Sequence, residues 1–199
     1  MRWLLACQKS GLLRELLRAR GHDAWTCDLM AAEDGSPYHI QGDAHAQACS
    51  GNWDAMIAMP ECVYLCASGI HWNDRGRGWE KTEAASRFFM DMINAPIERI
   101  AVENSVGIMS SRYRRPDQII HPWQFGDDAS KTTCLWLKNL PPLFPTRIVA
   151  PRWVNGRPRM ANQTDSGQNR LSPSPTRSAD RSRTFPGIAH AMDEQWGTL

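Results

Sequence analysis

Hydrophobic and polar positions follow two rhythms along this chain, and each change of rhythm marks an element. Arg2–Cys7, RWLLAC, is a short apolar run that predicts a buried strand. Leu12, Leu13, Leu16 and Leu17 then recur at helical spacing. They predict an amphipathic helix that Ser10 caps and Gly21 ends. Strands are expected at Asp23–Leu29, closing on Asp28, at Tyr38–Ala44, closing on Asp43, and at Trp53–Pro60. A polar loop from His71 to Gly78 leads to a second amphipathic helix, Lys81–Asn94. Its inner side is expected to carry Ala84, Ala85, Phe88, Phe89 and Met92. Arg99–Asn104 and Thr132–Lys138 supply a fifth and a sixth strand. Strands alternating with helices predict an α/β fold built on a doubly wound, mostly parallel, Rossmann-like sheet.

From Pro151 to Thr184 the pattern stops. Pro, Ser, Asn and Arg dominate without apolar periodicity, which predicts a long loop or disordered segment. Arg152, Arg157, Arg159, Arg170, Arg177, Arg181 and Arg183 face only Asp165 and Asp180 there. The segment therefore carries a local positive field, as a solvated linker or as a nucleic-acid contact. Pro186–Trp196 reads as a closing helix with Pro186 in its first turn. The expected organisation is an α/β domain over 1–150, the basic segment over 151–184, and a C-terminal helix within 185–199 that packs back on the domain.

Composition changes this picture little. The chain has 199 residues, 42% hydrophobic and 22% charged, which suits one globular domain with a sizeable core. A net charge of +2 does not by itself announce a nucleic acid. Six cysteines occur without a CxxC pair, and no apolar run approaches the roughly 20 residues of a membrane helix. With no signal-peptide pattern at the start, reduced thiols in a cytoplasmic protein are expected. Cys62 and Cys66 with His71 and His39 match no strong metal-ligand spacing, so no metal is expected.

In an open α/β sheet, ligands bind beyond the carboxyl ends of the strands. Ser10 and Gly11 follow strand one, Asp28 ends strand two and Asp43 closes strand three. Pro60-Glu61-Cys62 follows strand four, and Glu103-Asn104 ends strand five. An acid after the second strand suits a ribose diol, and one after the third suits an exocyclic amine. ACQKSG is not a GxGxxG loop, so a pyrophosphate has no obvious cradle. That favours an adenosine-type cofactor without pyrophosphate, S-adenosylmethionine being the natural candidate. Cys62 reads either as a nucleophile or as a small buried residue at a strand end.

The order strand-PxC, then strand-EN, resembles the cytosine-C5 DNA methyltransferases, and is most similar to small phage and prophage members without a large target-recognition domain. The stretches that carry the likeness are GHDAWTCDL, HIQGDA, IAMPECVYLCASG, IAVENSVGIMSSRYRRPDQIIHPWQFG, KTTCLWLKNLPPL and SRTFPGIAHAMDEQWG. The resemblance implies that Cys62 attacks C6 of the pyrimidine, that Glu103 hydrogen-bonds N3 and the exocyclic amine, and that Asn104 fixes the loop around them. It implies that Asp28 holds the cofactor ribose and Asp43 its adenine amine, with Ser10, Gly11 and Pro60 lining the cofactor. Arg112, Arg114, Arg115, Lys131 and Thr133 are its candidate nucleic-acid contacts, and DNA with a flipped or single-stranded base is the implied partner. Two alternatives stay open. One is a non-catalytic nucleic-acid-binding or phage accessory protein of the same fold. The other is modification of a base in RNA or in a free nucleotide.

Overall fold

The computed structural model describes residues 1–174 and 177–199. The chain divides into two compact units. The first comprises Met1–Ile119 and Thr133–Pro142, and the second comprises Ile120–Thr132 and Leu143–Leu199.

The centre of the first unit is a sheet whose strands are β1 (Arg2–Ala6), β2 (Asp23–Asp28), β3 (His39–Gln41), β4 (Ala55–Ala58), β5 (Arg99–Ser105), β6 (Gln118–Ile120) and β7 (Thr133–Lys138). Their order is β3-β2-β1-β4-β5-β7-β6. Strands β1 to β5 run parallel, and β7 runs antiparallel to β5. The expected mixed α/β sheet is present, and its central strands are apolar runs because both faces are covered. Trp3, Leu4, Leu5, Ala6, Met56, Ala58, Ile100 and Val102 are fully buried.

Helix α1 (Leu12–Ala19) buries Leu13 and Leu17, while Leu12 is exposed. Ser10 is not its cap. Gly11 occupies that position without a side-chain hydrogen bond, and a Cβ there would collide with the Asp34 carboxylate and the Arg14 guanidinium. Arg14 is the unexpected core residue. It is fully buried, donates to Thr26 Oγ1 at 3.0 Å, and pairs with Glu15 at 2.9 Å and with Asp34. A charge is tolerated in that position because its donors are taken up. Helix α2 (Ala44–Ala48) is capped by Asp43, whose Oδ1 accepts the His45 N–H at 2.8 Å.

The polar loop after β4 contains a short helix, α3 (Ala67–Ile70), and a 3-10 turn at Asn73–Arg75. Helix α4 (Glu80–Ile93) follows, rotated from the expected face. Thr82, Ser86, Phe89, Met92 and Ile93 are buried, and Ala84 is exposed. The hydroxyls enter the interior because they are satisfied: Thr82 donates to the Tyr64 carbonyl at 3.0 Å and Ser86 to the Thr82 carbonyl at 2.8 Å. Helix α5 (Met109–Arg112) closes the loop after β5.

The second unit corrects the expectation of a structureless segment from Pro151. β8 (Arg152–Val154) and β9 (Arg157–Arg159) pair as an antiparallel hairpin through Asn155 and Gly156, both at positive φ, 49° and 71°. That is the two-residue turn Asn-Gly favours. Met160 is buried, and Asn162 exchanges two hydrogen bonds with the Ser130 backbone, at 2.8 and 3.0 Å. A short helix, α6 (Arg177–Ser182), precedes α7 (Pro186–Trp196), which has the bounds expected for the closing helix. Ile188, Ala189, Met192 and Trp196 are buried. The expected segment also includes residues 175 and 176, which lie outside the described residues. Among the described residues, no helix is long and apolar enough to cross a membrane.

Candidate active site

Every residue of the proposed chemical centre lies in the first unit, at the carboxyl ends of the parallel strands. β4 pairs with β5 so that Ala58 faces Val102. Both chains continue outward from there, β4 into Pro60-Glu61-Cys62 and β5 into Glu103-Asn104. Asn104 is buried, and its amide donates to the Pro60 carbonyl at 3.0 Å. Its Oδ1 accepts the Ser105 N–H at 3.0 Å. One side chain therefore fastens the Pro-x-Cys turn to the end of β5.

The turn then winds on itself. The Cys62 carbonyl accepts the N–H groups of Leu65 and Cys66 at 2.9 and 2.8 Å. A second set of hydrogen bonds joins the loops after β4 and β5, from Ala67 N–H to Val106 O at 3.0 Å and from Ile108 N–H to Leu65 O at 2.9 Å. Gly107 is required in that crossing, because a Cβ would collide with the Leu65 carbonyl and the Cys66 Cα. Arg77 braces the same loop by donating to Gly69 O at 2.8 Å and lying 5.0 Å from the Tyr64 ring centroid. Cys62 and Glu103 are half-buried, Pro60 is buried and Glu61 is exposed. The charge of Glu103 reaches Cys134. Burial chiefly, and that carboxylate second, push the Cys134 thiol up to about 11.

A second cluster forms around the end of β1. Cys7 turns the chain out of the strand at φ 58°, a left-handed conformation unusual for a side-chain-bearing residue. Burial pushes its thiol up to about 12, and Asp28, Cys27 and Asp43 push in the same direction. The carboxylates of Asp28 and Asp43 are thus both within electrostatic reach of Cys7. Each uses its Oδ1 on a backbone N–H, from Met30 at 2.9 Å and from His45 at 2.8 Å. Neither Oδ2 has a hydrogen-bond partner among the described residues. Two acceptors left open at the strand ends fit a ligand that presents hydroxyl and amine donors. Nothing in the sequence marked Cys7 as the pivot of this loop, beyond its place after the first apolar run.

Ser10 and Gly11 sit where β1 passes into α1. The loop around them is bound to the segment after β2, with Glu33 N–H donating to Lys9 O at 3.0 Å and Lys9 pairing with Glu33 at 3.6 Å.

The basic candidates divide. Arg112 pairs with Glu83 at 2.6 Å and donates to Ser86 Oγ at 3.2 Å, and Arg114 pairs with Asp117 at 2.7 Å and donates to Leu137 O at 3.2 Å. These two are braces of the fold rather than open cations. Thr133 is buried in β7 opposite Ser105, so its hydroxyl is not presented to a phosphate. Arg115 is exposed, and Lys131 is half-buried in the second unit. Among the described residues, no group of three or more His, Cys, Asp or Glu could hold a metal ion.

The sheet order and the strand-end cluster can be compared with solved structures. One protein, described as a DNA modification methyltransferase encoded within an E. coli prophage, superposes with a TM-score of 0.50 at 15% sequence identity, over 75% of this chain and 52% of that one. The chain has a methyltransferase-like fold. The S. pombe Dnmt2 methyltransferase matches with a TM-score of 0.44 at 14% identity, over 71% of this chain and 50% of that one. The chain spans about half the length of these methyltransferases. No family model and no curated protein matches it.

Proposed function

We propose that this chain transfers a methyl group from S-adenosylmethionine to C5 of cytosine in DNA, with Cys62 as the nucleophile. The observation that carries the reading is the hydrogen bond from Asn104 to the Pro60 carbonyl, which joins the cysteine turn to the strand end that bears Glu103. Bound at Asp28 and Asp43, the cofactor would supply an electrophilic methyl group. The Cys62 thiolate adds to C6 of the ring, and the new S–C6 bond makes C5 an enamine-like carbon able to take the methyl. Glu103 hydrogen-bonds N3 and the exocyclic amine, where charge develops during addition. Water then takes the C5 proton, the C5–H electron pair re-forms the C5–C6 double bond, and the C6–S bond breaks to return the thiolate to Cys62. The target base has to leave its stack to reach this position.

DNA containing 5-fluorocytosine tests the scheme, because fluorine in place of the C5 proton blocks the last step. The parent is expected to form a covalent adduct that survives denaturation, only with cofactor present, and Cys62→Ala is expected to form none. An adduct that persists in Cys62→Ala and vanishes in Cys66→Ala would move the nucleophile to Cys66.

A second reading is a non-catalytic nucleic-acid-binding protein of this fold. It is favoured by the Lys9–Glu33 pair, which ties the segment after β2 onto the first loop, and by the Arg14–Asp34 pair, which ties the same segment onto α1. Calorimetric titration with S-adenosylmethionine discriminates, since this second protein needs no such cofactor.

A further inference from the structure

We propose that the β8–β9 hairpin binds an unpaired nucleic-acid strand, with Trp153 and Pro158 as a stacking platform and Arg157 as a phosphate contact. The register places Trp153 directly opposite Pro158, and Arg152 opposite Arg159. Successive residues of a strand point to opposite faces, so the two arginines and the indole lie on different sides of the ribbon. Arg152 and Arg159 are committed to the unit itself. Arg152 pairs with Asp165 at 2.6 Å and donates to Gln163 O at 2.8 Å, and Arg159 donates to Asp165 O at 3.1 Å. These bonds hold one face of the hairpin down on the loop that follows it.

The other face has no such use. Trp153 is 69% exposed, and Pro158 beside it is exposed too. An indole on a rigid, tightly turned ribbon contributes nothing to the core. Arg157, two residues before Arg159, lies on the arginine face of the ribbon, exposed next to the Asn155-Gly156 turn and with no ion-pair partner among the described residues. It borders a cleft of about 370 Å³, lined by Val154, Asn155, Arg157, Arg159, Asp165 and Ser166. Across 151–174 the sequence has four arginines, Arg152, Arg157, Arg159 and Arg170, against the single acid Asp165. Arg152 already neutralises Asp165, first through its hydrogen bond and then through its charge, holding that carboxyl below the usual range.

An aromatic platform on one face of a narrow ribbon, with an exposed arginine on the other face next to the turn, is complementary to a strand that stacks its bases on the indole while its phosphates pass the end of the ribbon. Base faces are open only where the strand is unpaired. A protein partner would need an apolar or acidic surface, and duplex DNA would offer phosphates but no free base face.

The inference takes its class of partner from the proposed reading of the chain, and the test separates the two. Binding of a labelled single-stranded oligonucleotide to the full chain is followed by fluorescence anisotropy over a range of salt. Trp153→Ala is expected to weaken binding at least about fivefold, the low end for loss of one stacked base, with its salt dependence unchanged. Trp153→Phe retains most of the affinity. Arg157→Ala is expected to lower the slope of log K against log salt by about 0.7, the contribution of one phosphate on a single strand. Both positions are exposed, so melting temperatures stay at the parent value. Parent-like binding by Trp153→Ala and Arg157→Ala overturns the proposal, as does a parent that binds no single strand. A duplex that binds as tightly and loses as much on Trp153→Ala overturns the stacking assignment. If the hairpin variants lose binding while 5-fluorocytosine trapping fails in the parent, the hairpin stands and the methyl-transfer reading falls.

Discussion

Asn104 connects the two strand ends through a single amide, and its replacement isolates that connection. Asn104→Ala leaves the buried Pro60 carbonyl without its donor, which costs about 1–3 kcal/mol. Chemical denaturation is expected to show that loss, and adduct formation with 5-fluorocytosine DNA should fall with it. Gly107→Ala tests the same turn by crowding, since its new methyl meets two backbone atoms that cannot rotate away. About 1–3 kcal/mol of destabilisation is expected, in the range of an overpacked core. The thiols give a third, independent outcome. Cys7, Cys27 and Cys134 are pushed up to about 12, 11 and 11, in each case mainly by burial. Iodoacetamide at neutral pH should therefore modify exposed Cys49 and half-buried Cys62 and Cys66 while sparing those three, as peptide mass spectrometry can read.

Among the elements, α1 was the most deceptive in sequence. Its leucines announced a helix, and Leu13 and Leu17 took the inner positions. Arg14 followed them inward because Thr26 on β2 and Asp34 beyond it supply acceptors. Those acceptors are 12 and 20 residues away, so no local pattern could reveal them. In α4, Thr82 and Ser86 replaced Ala84 on the inner face for a similar reason, since their partners are carbonyls invisible to an apolar count. β7 was legible as a strand, but its antiparallel direction depends on a connection rather than on composition. Acid should expose the polar part of this packing. Burial raises the Asp34 carboxyl, but hydrogen bonds from Ser36 N–H and Arg14, with the charge of Arg14, outweigh it and leave the group below its ordinary value of 3.8. The folded value lies below the unfolded one, so its stabilisation is present above about pH 4 and is lost as pH falls through the folded value. Urea midpoints are expected to drop below about pH 4 in the parent, and to drop less in Asp34→Asn.

At the scale of the whole molecule, the sheet was readable because its strands are uninterrupted apolar runs, and the strand-end residues because an α/β sheet gathers such positions at one edge. The hairpin lies inside a segment whose composition predicts a loop, although Asn155-Gly156 is a strong turn signal. Arginine and proline surround it, and composition outweighed the dipeptide. The same bias concealed Asn162, whose two bonds to Ser130 give it a part in the packing of the second unit. Asn162→Ala is expected to lower stability by about 1–3 kcal/mol, with thermal melting as the measure, where a free loop would show no change.

The order in which the chain visits its two units limits how the protein can be divided. It leaves the first at 119, returns for residues 133–142 to lay down β7, and leaves again. No single stretch of coding sequence therefore specifies either unit. A fragment ending near 142 would retain 120–132 without the rest of its unit and uncover Ile120, Phe125 and Ala129, while one ending near 119 would lack β7 and present the outer edge of β5 as an unpaired template for aggregation. A nascent chain meets that second condition on the ribosome until residue 138 has emerged. Shuffling by recombination between genes would have to exchange this protein as one piece.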